Sequence, residues 1–238
     1  MVKQALIIGG GYGTRISAAN NPSRNKPLIE YAGQTMIGHL IDGLKGGGIE
    51  RCVIASGYHS NEEIRKIVEG KGINATVVPI EGGFRKIPYY TQDLLDDRFM
   101  IVCGHQPLSP NFVRRMLQQA EIYECVITAY DNLTYPCNKS RRLMCMNGSG
   151  GAKLKAVDIE AENIDQAHKY ARNPYVVGKN MVNLSKKRDF QQTFSYYIFE
   201  HWTSGGSLGI IEATMPPEFD YDGEFERTKS FLDSLKAE

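Results

Sequence analysis

Several features that would place a chain in a class at once are missing here. The 28 Lys and Arg nearly cancel the 27 Asp and Glu, leaving a net charge of +1. No global field therefore recruits nucleic acid or an anionic membrane surface. The short basic clusters "KSRR" and "SKKR" read as solvated loops. No apolar run is long enough to span a bilayer. The opening "MVKQALIIGG" runs straight into glycines with no small-residue cleavage site, so it reads as a first strand and not a signal peptide. Cysteines stand at 52, 103, 125, 137 and 145, an odd number with no Cys-x-x-Cys pair. That argues against both a disulfide framework and a structural zinc site. Cys52, Cys103 and Cys125 sit inside apolar runs, where a thiol behaves as a small core residue. A reducing, cytoplasmic compartment is expected.

What is present is a regular alternation. "QALIIG", "RCVIASGY", "NATVVPI", "RFMIVCG" and "ECVITAYD" are short, continuously apolar runs, each read as a buried strand. Between them lie helical patterns: 35–48, stopped by glycines, 60–70, 89–97, and 109–123 with Ser109 before Pro110. Ser60 with Glu63 three residues on predicts a capping box. Strands apolar on both faces, alternating with helices, predict an α/β three-layer sandwich around a mostly parallel sheet. The regularity stops near residue 131. Beyond it, strands are expected in 142–147, 152–161 and 173–184, a helix in 190–206, a strand in 207–214 and a closing helix in 223–238. One domain is expected: a core over 1–131, a mixed, loop-rich lobe over 132–215, and a closing segment over 216–238.

The glycine cluster after the first strand, in "IIGGGYGTR", raises the question of what is brought close to the backbone. A Walker loop needs Gly, four residues and Gly-Lys-Ser/Thr, a run absent here. A dinucleotide fingerprint starting at Gly9 and Gly11 would need its third glycine where Thr14 stands. A flavin or nicotinamide oxidoreductase is weakened accordingly. A plain packing turn, with Arg15 and Lys26 merely solvated, is the simplest alternative.

The ordered set Gly10, Gly11, Gly13, Thr14 and Arg15, then Lys26, Pro27 and Leu28, then Gly33, resembles the sugar-phosphate nucleotidyltransferase family. The resemblance is dense over 4–65, recurs in "DRFMIVCGHQPLS" (97–109) and returns in "FDYDGEFERTKSFL" (219–232). Between 130 and 215 only the general layout matches. The resemblance implies a Rossmann-like nucleotidyltransferase fold and attack of an acceptor's phosphate on the α-phosphorus of a nucleoside triphosphate, with loss of pyrophosphate. It implies that Gly9, Gly10, Gly11, Gly13 and Thr14 bring backbone N–H groups to the phosphates, and that Arg15 and Lys26 are the catalytic cations. Glycines suit that role because no Cβ stands in the way, and a guanidinium grips phosphate oxygens in pairs.

The resemblance also exposes a departure. Where the family ends its fourth strand in Gly-Asp and holds magnesium, this chain has His105. A neutral imidazole offers a softer nitrogen in place of a charged oxygen. Three explanations stand. The metal, Mg2+ or Mn2+, rests on Asp220 and Asp222 with His105 beside it; a nitrogen-tolerant metal such as manganese takes over; or the chain binds nucleotide without turnover. A polar strand-end residue hydrogen-bonded to a neighbour is the plain alternative. Asp220 and Asp222 alternate, so on an extended segment they would face one side and share a cation. Arg85 either touches phosphate or belongs to a charged loop, and Lys179 is either an acceptor contact or a surface lysine. The implied partners are a nucleoside triphosphate and a phosphorylated small acceptor, with no nucleic acid or membrane; a homo-oligomer is compatible with this reading.

Overall fold

The computed structural model describes residues 1–10, 15–21, 25–80, 85–131, 134, 143–147, 153–159, 169–191 and 194–237, with 143–147, 153–159, 169 and 237 as backbone only. The chain begins with β1 (Gln4–Gly9), a turn of 3-10 helix at Lys26–Leu28, and a small hairpin of β2 (Glu30–Tyr31) and β3 (Gln34–Thr35). Then follow α1 (Met36–Gly47), β4 (Arg51–Ser56), α2 (Asn61–Lys71), β5 (Asn74–Pro79), α3 (Ile87–Tyr90), β6 (Arg98–Cys103), α4 (Pro110–Ile122) and β7 (Cys125–Asp131). The second half supplies β8 (Leu143–Asn147), β9 (Lys153–Ile159), β10 (Lys169–Gly178), α5 (Lys179–Lys187), α6 (Phe194–Thr203), β11 (Leu208–Glu212) and α7 (Asp222–Ala237).

The main sheet runs β11-β7-β10-β6-β1-β4-β5, with β8 and β9 attached to β10. The pairs β1–β4, β4–β5 and β1–β6 are parallel, as the buried apolar runs predict, and β11 from the second half also pairs parallel with β7. Alternate residues of β1 serve two cores. Ala5 and Ile7 join Leu40, Leu44, Phe112 and Met116 from α1 and α4, while Leu6 and Ile8 join Met181, Val182, Tyr197 and Ile198 from α5 and α6. The result is the expected sandwich of three layers. Cys52, Cys103 and Cys125 are buried free thiols, and burial alone pushes Cys52 up to about 12.

β10 lies antiparallel between β6 and β7, so the mixed addition expected past 131 enters the central sheet itself. Three expectations need correction. The strand expected through residue 184 stops at Gly178, and α5 begins at once, taking in most of "SKKR". The helix expected over 89–97 is a short α3 followed by a 3-10 turn at Gln92–Leu94. Ser60 does not cap α2, because a 3-10 turn precedes that helix and the Ser60 hydroxyl donates to the Gly57 carbonyl, 3.2 Å away. Ser109 does cap α4, accepting from the Phe112 N–H at 3.2 Å.

Chain order decides where a ligand fits. From β1 the chain winds outward to β4 and β5, then returns to place β6 on the other side of β1. That reversal opens a crevice beyond the carboxyl ends of β1 and β6, the usual ligand position in such sheets. Gly43 of α1 closes on the segment after β6: a Cβ there would sit 1.9 Å from the Leu108 carbonyl oxygen. Gly43→Ala should therefore destabilise by about 1–3 kcal/mol through overpacking. Gly70→Ala, on α2 with nothing within 4 Å of its added Cβ, should gain up to about 1 kcal/mol from helix propensity. Chemical denaturation of both variants checks the contrast; equal effects would contradict it.

Candidate functional site

The base of the crevice is packed backbone. A Cβ on Gly104 would lie 3.1 Å from the Gly9 Cα and 3.1 Å from the Pro27 ring, so the ends of β1 and β6 and the Lys26–Leu28 turn meet there. Gly10 stands beside the Gly57 backbone after β4. Gly11, Gly13 and Thr14 lie outside the described residues.

The turn buries the Lys26 side chain. Its ammonium donates to the Phe219 carbonyl at 2.8 Å and to Asp220 Oδ1 at 2.6 Å. Arg15 reaches the same oxygen at 3.2 Å from a half-exposed position, its guanidinium 5.8 Å from the Tyr221 ring centre. Two cations thus converge on one carboxylate, brought from residues about 200 positions apart. Burial, followed by repulsion from Arg15, pulls Lys26 down to about 8 even with Asp220 alongside. Beneath the segment, Arg172 of β10 pairs with Glu218 at 2.5 Å, both nearly inaccessible. Burial raises the Glu218 acid, and Arg172 works against that.

His105 follows β6 directly. Its ring stands edge-on to Phe219 at 5.1 Å, and Nε2 is buried with no hydrogen-bond partner among the described residues. Burial first, then Lys26 and Arg172, hold the imidazole well below its usual range, so it is neutral at pH 7. Its neighbour Gln106 donates to the Tyr130 hydroxyl at 2.7 Å, tying the loop to β7.

The two late aspartates hold different partners. Asp222 is the first residue of α7, not part of an extended segment, and its carboxylate turns to the first arm. It accepts from Asn20 Nδ2 at 2.8 Å and from the Ser17 hydroxyl at 3.1 Å; the Asn20 bond is the main cause of its lowered pKa. Asp222 therefore fastens residues 17–20 to the closing helix. Among the described residues no group of three or more His, Cys, Asp or Glu side chains could hold a metal. A hard octahedral cation wants several oxygens, and this donor set of one twice-paired carboxylate and one neutral imidazole does not fit a resident Mg2+.

Two other expected residues hold partners of their own. Arg85 donates to the Gln191 carbonyl at 2.6 Å, beyond the end of α5. Lys179 opens α5, its N–H bonded to the Asp97 carbonyl beside the start of β6, the opposite end of that strand from Gly104. Sequence reasoning missed Arg172 and Glu218. Their signals were one arginine within a long, otherwise mostly apolar strand and an acid two positions before Asp220.

A family model for the MobA-like NTP transferase domain matches residues 5–155, more than half of the chain. The chain belongs to this family. The match takes in Arg15, Lys26 and His105; Arg172, Glu218 and Asp220 lie beyond it. Among curated relatives, the mannose-1-phosphate guanyltransferase of Yarrowia lipolytica is 34% identical over 76 residues, 31% of this chain and 21% of that protein. The N-acetylmuramate alpha-1-phosphate uridylyltransferase of Caulobacter vibrioides is 32% identical over 78 residues, 32% of each chain. The chain thus spans a third or less of the length of these relatives. Among solved structures, a putative glucose-1-phosphate thymidylyltransferase from Bacillus anthracis superposes with a TM-score of 0.78 at 15% identity, covering 96% of this chain and 94% of that one. The inositol-1-phosphate CTP transferase of T. maritima gives 0.76 at 13%, covering 99% and 96%. At such identities these two show the shared fold. No helix among the described residues is long and apolar enough to cross a membrane.

Proposed function

We propose that this MobA-like domain transfers a nucleoside monophosphate from a nucleoside triphosphate to a phosphorylated small acceptor, a sugar 1-phosphate or similar polyol phosphate, releasing pyrophosphate. The observation that carries the reading is the convergence of Arg15 and Lys26 on Asp220 at the crevice between β1 and β6. The named relatives, which act on mannose, N-acetylmuramate, glucose and inositol phosphates, support the acceptor class.

In this reading an acceptor phosphate oxygen attacks the α-phosphorus while the bond to the pyrophosphate oxygen breaks in line. The protein's part is positioning and charge. Backbone N–H groups around Gly9 and Gly10 approach the phosphates. Lys26, held by the Phe219 carbonyl, supplies a fixed positive charge near the reacting phosphoryl group, and Arg15, more exposed, grips outer oxygens. Arg172 and Glu218 keep the 218–220 segment in register with Lys26.

The test is ligand discrimination. Arg15→Ala should weaken nucleoside triphosphate binding about tenfold or more, the scale of a lost charge-assisted contact, and leave nucleoside binding nearly unchanged in calorimetry. Equal loss for both ligands would place the phosphates elsewhere.

A further inference from the structure

Among the described residues, each carboxylate named at the crevice already has a partner. Asp220 holds Lys26 and Arg15; Glu218 holds Arg172; Asp222 holds Ser17 and Asn20. Glu224 accepts the Asp220 backbone N–H at 2.5 Å. At the strand end, where a carboxylate would attract a cation, His105 presents a neutral ring whose Nε2 has no partner among the described residues. Lys26 and Arg172 lie close enough to that ring to disfavour any added positive charge. A dication entering this pocket would meet those cations, with the nearest described carboxylate, Asp220, already paired to Lys26 and Arg15. A phosphate chain would meet the same cations as attractive partners.

We infer that the free protein has no resident divalent-cation site and binds the anionic phosphate chain directly on Arg15 and Lys26, any divalent cation arriving with the phosphates. Asp220 then acts as a holder for the two cations: it keeps them ordered in the free protein and yields them to phosphate oxygens on binding. This rests on the nucleotidyltransferase reading and adds to it that no metal occupies the site before the phosphates do. Octahedral Mg2+ is commonly held by one or two carboxylates plus substrate phosphates, so a metal that comes with the triphosphate could still use Asp220 once Lys26 and Arg15 have moved off it.

Two measurements on the intact protein test this without turnover. Mn2+ titrated into free protein and followed by electron paramagnetic resonance should stay in the unbound population. Inorganic pyrophosphate, titrated calorimetrically in EDTA, should bind, and added Mg2+ should change its affinity by less than about tenfold. Two variants sharpen the result. His105→Asp restores a carboxylate and should create Mn2+ affinity in the free protein while weakening metal-free pyrophosphate binding about tenfold or more through like-charge repulsion. His105→Asn, neutral and similar in size, should do neither. Mn2+ bound by free wild-type protein and lost in His105→Asn would overturn the inference and make the imidazole a metal ligand. Pyrophosphate binding that requires Mg2+ would overturn it alone. No pyrophosphate binding under any condition would overturn both this inference and the nucleotidyltransferase reading.

Discussion

Lys26→Met should slow pyrophosphate release on the order of 10²–10³-fold, the usual cost of removing one preorganised donor to a developing oxyanion. The loss should fall on kcat at least as much as on KM, because a fixed charge is worth more as negative charge develops on the phosphoryl oxygens. The variant should still fold, since Arg15 remains 3.2 Å from Asp220. The pH dependence adds a second signature. Lys26 loses its proton near pH 8 in the free protein, so kcat/KM should decline as pH rises through about 8 and the decline should disappear in Lys26→Met. Phosphate binding favours the charged ammonium, so triphosphate binding above that pH should take up a proton, visible in calorimetry with buffers of different ionisation enthalpy. For stability the sign is opposite. Lys26 titrates lower when folded than unfolded, where its value is 10.5. The unfolded chain then holds the extra proton between these values, so the cost of burying the charge is full below about 8 and is relieved above it. A flat wild-type activity profile across this range would contradict the placement of Lys26 in the site.

Arg172→Leu is the second large effect. It leaves the buried Glu218 carboxylate without its ion-pair partner, at a cost of about 3–5 kcal/mol. For a domain of this size each kcal/mol lowers Tm by roughly 2–4 °C, so a fall of about 6–20 °C is expected in thermal unfolding followed by circular dichroism. The acid is already raised by burial; without Arg172 it should rise further. Because a folded-state pKa above the unfolded value costs stability once the group ionises, the variant should lose more at pH 8 than at pH 5. Arg172→Leu combined with Glu218→Met should recover most of the loss, since an apolar pair of similar volume is often neutral or better. If the single variant melts like wild type, the pair is not what holds the 218–220 segment.

The parallel half of the fold was legible because its strands are mostly apolar and its first two helices end at glycines, Gly48 after α1 and Gly72 after α2, both in the left-handed conformation. The insertion of β10 between β6 and β7 was not, because strand order depends on pairings between segments distant in sequence. The run "YVVGKNMVNL" misled for a local reason: its apolar residues suit either period, and only the turn at Gly178 separates strand from helix. At the site, the family resemblance singled out Arg15 and Lys26 as cations and Asp220 as a metal ligand, and the structure brings all three together with Asp220 Oδ1 on both cations. Asp222 followed the same alternation on paper, but the start of α7 turns it toward Asn20. Lys179, suggested by a basic residue in the corresponding lobe of the resembling family, sits beside the start of β6, the far end of that strand from Gly104. Arg172 and Glu218 read as ordinary charges because burial is a property of the assembled sheet, not of either segment.

The central claim is that the crevice moves a nucleoside monophosphate onto an acceptor phosphate. The direct measurement uses each of the four nucleoside triphosphates labelled at the α-phosphate, with a panel of sugar and polyol 1-phosphates, and follows the label by chromatography. The account predicts, for at least one pair, label in a nucleoside-diphosphate conjugate, unlabelled pyrophosphate in equal amount, and loss of both in Lys26→Met. Protein that binds triphosphate yet transfers label to no acceptor would contradict it.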